Sequence, residues 1–243
     1  MDAELKRALG AKVRGGQRLT HEDGVALYGA DDLAWLGTLA HEARAARHGD
    51  AGTVLTGAGA EAASAARPPA VPAPDGDWTE VERLAGAGDP GAAVLFPYSR
   101  GEAAGERVER LLRLRALQDG AGGLAAVAPV RRTGEDAGAA ATGAEVLKTF
   151  AVCRLLLDNV PHLTVRLDAH GELTALLALQ HGADDLDPAA ASGAPEGGDL
   201  DDLVELVRDA GLRPVERDAR HAVLRTHEGP DADRRETPQP MRV

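Results

Sequence analysis

The sequence predicts an α/β fold built on a parallel sheet, and three observations predict it. Short apolar runs bounded by glycine or proline recur at 92–98, 124–130 and 162–168. Helical patterns at 102–119 and 142–159 separate them, the strand–helix alternation of βα units. The 243 residues are 44% hydrophobic yet only 2% aromatic, so alanine, leucine and valine must supply a sizeable core. Four or five strands can be counted, too few for a closed eight-stranded barrel.

Each element has a local reason. Residues 2–14 form an amphipathic helix ended by Gly15-Gly16. Thr20, with Asp23 three residues on, is a capping box for a second helix. Asp31 and Asp32 open a third, which runs through Trp35, Leu36, Leu39 and Ala43 to His48. From 51 to 76 the composition shifts to Ala, Gly and Pro, and "AARPPAVPAPDG" reads as a flexible or polyproline-like linker.

A short helix at 78–85 and a buried strand at 92–98 follow. The helix from Glu102 to Asp119 carries Glu106/Arg110 and Glu109/Arg113 at i, i+4, and glycines at 120, 122 and 123 stop it. After the strand at 124–130, Thr142 and Glu145 cap the next helix, which ends at Asn159-Val160-Pro161. "HLTVRLD" alternates as a strand, a helix spans about 171–181, and the helix at 199–210 is closed by Gly211. The polar tail after Thr226 is expected to be disordered.

Composition excludes several functions. A net charge of −12 argues against nucleic acid. No run of 18 apolar residues occurs and the N-terminus lacks a signal-peptide core, so a soluble cytoplasmic protein is expected. A single cysteine excludes an internal disulfide and any thiolate-ligated cluster built from this chain alone. That cysteine, Cys153 in "TFAVCRLLLDN", is surrounded by apolar residues and is expected to be packing.

Other constellations carry weaker chemistry. Asp184, Asp185 and Asp187 could attract a hard cation, but the spacing lacks an EF-hand's glycine and closing glutamate, and a solvated strand-end turn is the better reading. His162, His170 and His181 lack zinc-site spacing, and His162 is expected to cap backbone. Ser64, Ser99 and Ser192 form no nucleophile elbow. Gly57 and Gly59, with Glu61 as a polar partner, could cradle a phosphate or ribose, though the stretch also reads as a plain loop.

Four stretches resemble one family in its own order. They are "RLTHEDGVALYGADDLAWLGTLAHEARAARHGD" (18–50), "GERVERLLRLRALQDGAGG" (105–123) and "EVLKTFAVCRLLLDNVPHL" (145–163), and the pair "HGADDLDP" and "GLRPVERDARHAVL" (181–188 and 211–224). "LTGAGAEAAS" and "WTEVERLA" match more weakly. Together they resemble the aminofutalosine synthase branch of the radical SAM superfamily, enzymes of the futalosine route to menaquinone. The sister family that cyclises dehypoxanthine futalosine is the next best match.

This resemblance implies an incomplete (β/α) TIM-type barrel of about four or five parallel strands with N-terminal helices. It divides the chain into N-terminal helices (1–50), the linker (51–76), a partial barrel (77–226) and the tail (227–243). In the family, a CxxxCxxC segment after the "RHGD" equivalent binds a 4Fe–4S cluster that cleaves SAM. Here His48-Gly49-Asp50 passes directly to "AGTVLTGAGAE". The family's "YGH-E" survives only as Tyr98 and Glu102.

The expectation is therefore a degenerate member, a pseudoenzyme with no catalytic or metal-binding residues, no cofactor, and the 4Fe–4S/SAM site lost. A residual pocket would draw on Gly57, Gly59, Glu61, Tyr98, Glu102, His162, Asp184, Asp185 and Asp187. Such a protein would act as a non-catalytic binding or partner protein, pairing with itself or an intact family member, with no nucleic acid and no membrane. The alternative is an enzyme of the same pathway that works with a partner or by non-radical chemistry.

Overall fold

A computed structural model describes residues 1–56, 70–89, 92–132, 141–188 and 200–230. Three helices come first: α1 (Ala3–Arg14), α2 (His21–Tyr28) and α3 (Leu33–His48). Then come β1 (Ala51–Leu55), β2 (Ala70–Pro72), α4 (Thr79–Ala87), β3 (Ala93–Tyr98), α5 (Ala104–Ala121), β4 (Ala126–Arg131) and α6 (Gly143–Leu156). The remainder is β5 (His162–Arg166), α7 (Leu167–His170), α8 (Glu172–Gln180), β6 (Asp185–Asp187), α9 (Leu200–Asp209), β7 (Arg213–Arg217) and β8 (Val223–Thr226).

Among the described residues, eight strands form one open sheet in the order β2-β3-β4-β5-β6-β1-β7-β8. Every pairing is parallel except β7 with β8. The order places β1 between β6 and β7, with Thr53 opposite both Asp185 and Val215. The strands end at β2 on one side and β8 on the other, as in a barrel that has not closed.

The α/β class and the incomplete barrel stand, with more strands than the sequence signalled. β1 and β2 lie inside the stretch read as a linker. Apolar periodicity cannot flag them, because β1 is five residues long with a glycine inside it, and β2 has three residues including Pro72. Gly52 has a packing reason: a Cβ there would lie 2.8 Å from Val207 and 2.9 Å from Leu212, where α9 and its exit press on β1.

One sheet face is covered by helices. Val94, Phe96 and Tyr98 of β3 are fully buried while Ala93, Leu95 and Pro97 between them are not. Val54, Val127, Leu163, Val165 and Leu186 join the same core. α6 packs against α3, α2 and α8, and ten of its fourteen residues are buried. Five of the six aromatic side chains are buried too: Tyr28, Trp78, Phe96, Tyr98 and Phe150.

Local signals held where they were chemical. Both capping boxes are present, Thr20 with Asp23 and Thr142 with Glu145. Gly211 takes φ +85° just past α9, the left-handed stop a helix C-terminus favours. The ion pairs along α5 fall differently: Arg110 pairs with Glu102 and Arg113 with Glu82, so tertiary partners displace the i, i+4 ones. The strand at 162–168 ends at Arg166 and turns into α7. Residues 231–243 of the tail lie outside the described residues.

Candidate functional site

Two polar groupings centre on consecutive carboxylates, Asp184 and Asp185, at the start of β6. Neither is a solvated turn, for both are at most 1% exposed, and Asp187 is buried with them. Alternation sends Leu186 into the helix-covered core and Asp185 to the opposite sheet face.

Asp185 is held from three strands. Arg217 of β7 donates Nε and a terminal nitrogen to its two oxygens at 2.8 and 2.6 Å. Thr53 of β1 and Thr164 of β5 donate their hydroxyls, each at 2.7 Å. Burial alone would raise this carboxyl's pKa, but the Arg217 guanidinium outweighs burial and holds it well below the usual carboxylate range. With these four bonds Asp185 is a fixed, satisfied anion that ties β6 to its neighbours.

Asp184 faces the other grouping. Its Oδ1 accepts from Arg154 of α6 and from the Leu163 amide at 2.8 Å. Its Oδ2 faces two imidazoles, His162 Nδ1 at 2.7 Å and His48 Nε2 at 3.5 Å. Burial again opposes ionisation, and Arg154 with the His162 bond overcomes it, so this pKa is lowered as well. The His162 ring stacks on His48 at 5.4 Å and on His221 at 4.3 Å, the latter nearly parallel at 3°. Burial lowers His48, and it pushes His221 down to about 4. His221 is therefore neutral at pH 7.

The expected site residues divide. His162 and Asp184 meet at the N-terminal ends of β5 and β6, and His162 bonds a carboxylate rather than capping backbone. Tyr98 and Glu102 lie at the C-terminal end of β3, the end where barrel enzymes build their pockets. Tyr98 is fully buried in the helix layer, 5.7 Å from the Arg107 guanidinium, and Glu102 is paired with Arg110. Gly57, Gly59 and Glu61 lie outside the described residues. His170 and His181 bond the carbonyls of Pro129 and Leu177. His48 and His221 were missed, because nothing in their spacing links them to His162.

Cys153 sits on α6 with no exposure, and burial pushes its thiol up to about 12. We expect it to resist a thiol reagent at pH 8 in the native chain and to react at once in denaturant. A thiol count by absorbance checks this, and rapid native labelling would show that α6 is not buried.

No family model matches the chain. It is 33% identical over 387 positions to the aminodeoxyfutalosine synthase of Streptomyces coelicolor, covering 100% of both chains. That span exceeds the 243 residues here by 144 (387 − 243), so at least 144 aligned positions have no counterpart in this chain. It is 31% identical over 168 residues to the cyclic dehypoxanthine futalosine synthase of the same organism, covering 64% of this chain and 42% of that protein. The FeFe-hydrogenase maturase HydG of Carboxydothermus hydrogenoformans shares the fold, with a TM-score of 0.62 at 11% identity, over 89% of this chain and 80% of that one.

These matches correct one expectation. The homologues are radical SAM enzymes that use SAM and a 4Fe–4S cluster, so these cofactors belong to the family's chemistry and the expectation of none does not stand. The residues of this chain do not fit the cluster: such clusters are held by several thiolates, and the one thiol is buried, protonated and alone. No reaction step is routed through it here. Matched from end to end by a relative a third identical to it, this chain belongs to the aminodeoxyfutalosine synthase family of the radical SAM enzymes, in the futalosine route to menaquinone.

Proposed function

We propose that this family member is a non-catalytic partner protein of the cytoplasmic futalosine route. It pairs through its open sheet with a second copy or with an intact, cysteine-bearing family member.

The observation that carries this reading is the β8 edge. β8 is hydrogen-bonded to β7 on one side, and all four of its residues are exposed, Val223 at 65% and Leu224 at 53%. An edge strand with apolar, β-forming side chains offers its free backbone groups to another chain. Proteins that stay monomeric usually blunt such edges, and β8 places Arg225 there as its sole charge.

Size exclusion with light scattering, on the chain alone and mixed with an intact synthase, tests the reading. The expected result is a dimer or a one-to-one complex that Leu224→Lys abolishes without altering the circular dichroism. A monomer at every concentration, indifferent to the synthase, removes the basis for a partner role.

A further inference from the structure

His48, His162 and Asp184 come from the end of α3, the start of β5 and the residue before β6. One ligand atom from each lies within 4.8 Å of the other two. Asp184 Oδ2 is approached by both imidazoles, although among the described residues a single hydrogen bond, from His162, is all it accepts within bonding distance. Its other oxygen is held by Arg154 and the Leu163 amide, which fixes the direction in which Oδ2 points.

We propose that these three side chains form a divalent-cation site of the zinc type, with water in the fourth position. Two imidazole nitrogens and one carboxylate oxygen are a donor set zinc favours, and three protein ligands plus water complete a tetrahedron. Tetrahedral ligands at about 2.1 Å from the metal lie roughly 3.4 Å apart. The His48–Asp184 separation of 3.5 Å already matches this. The His162–Asp184 separation of 2.7 Å must open by some tenths of an ångström as the ion replaces the shared proton.

Both rings can present the required lone pair. His48 Nε2 now bonds the Pro161 carbonyl at 3.0 Å, so metal binding moves its proton to Nδ1 and releases that carbonyl. His162 donates to Asp184 through Nδ1, so its proton likewise shifts, to Nε2. Arg154 offsets the carboxylate's charge, so affinity rests on the coordination bonds and is moderate rather than extreme. The ion would pin the end of α3 to two strands, and this inference stands apart from the partner proposal.

The test is calorimetric titration of zinc chloride into the full, untagged, chelator-treated chain, alongside His48→Gln, His162→Asn and His181→Ala. Gln and Asn preserve hydrogen-bonding reach to Pro161 and Asp184, so these variants keep the fold, which circular dichroism verifies. One zinc per chain is expected, weakened roughly tenfold or more by each of the first two changes, since even outer partners of metal ligands cost about that much. His181→Ala leaves binding unchanged. In wild type, Co²⁺ at the same site gives the strong visible absorption of low coordination number. No saturable binding, or binding that survives both His48→Gln and His162→Asn, overturns the proposal.

Discussion

An Arg217→Met chain is expected to lose about 3–5 kcal/mol of stability, the cost of stranding a buried charge by removing its partner. Asp185 is 0% exposed, and Arg217 supplies two of its four hydrogen bonds. Without the guanidinium, Thr53 and Thr164 alone must support the carboxylate. The carboxyl then stays charged at high cost or takes up a proton. Urea unfolding at pH 7 measures the loss, and a second variant isolates its cause. Asp185→Leu combined with Arg217→Met removes both charges and should recover much of the stability. A single variant within about 0.5 kcal/mol of wild type, the range of ordinary surface changes, would show that the pair is not buried as described.

The sign of the pH dependence follows from the same pair. The Asp185 pKa is depressed in the fold, so the unfolded chain binds more protons as pH falls below about 4. The contribution is therefore present in full above the ordinary carboxylate range and is lost progressively as pH falls below it toward the depressed folded-state value. In Arg217→Met this acid-labile part shrinks, so the variant and wild type converge toward low pH.

Phe150→Ala is expected to cost about 3–5 kcal/mol, the range for emptying a large aromatic site in a core. Phe150 is fully buried on α6 and meets the His170 ring edge-on at 5.4 Å. Only six aromatic side chains exist, and the surrounding core is mainly alanine, valine and leucine. Short side chains already at contact distance cannot swing into the space, so the cavity persists. Thermal melting and urea titration give the loss. A change below about 1 kcal/mol would mean that α6 repacks freely and is not the hub of the helix layer.

The parts legible in the sequence were those whose cause is local. Thr20 with Asp23, Thr142 with Glu145, and Gly211 each act within a few residues, and each sits where the pattern placed it. β1 and β2 depend on neighbours far along the chain: Ala51–Leu55 is stabilised by residues 185–186 and 213–217. Glycine and proline inside them mask the periodicity that betrays longer strands. The site divides in the same way. The family stretches drew attention to His162 and Asp184, but burial turned an apparent acidic turn into two separately paired carboxylates. His48 and His221 join His162 only through the fold, and the resemblance gave no role to either.

SAM cleavage tests the central account most directly. The chain is purified without oxygen, supplied with iron, sulfide, a reductant and SAM, and assayed for 5′-deoxyadenosine with and without an intact synthase. With a solitary thiol locked inside α6, the chain alone should stay colourless and leave SAM whole, and cleavage should appear only with the cysteine-bearing partner. A brown chain that cleaves SAM unaided would contradict the account.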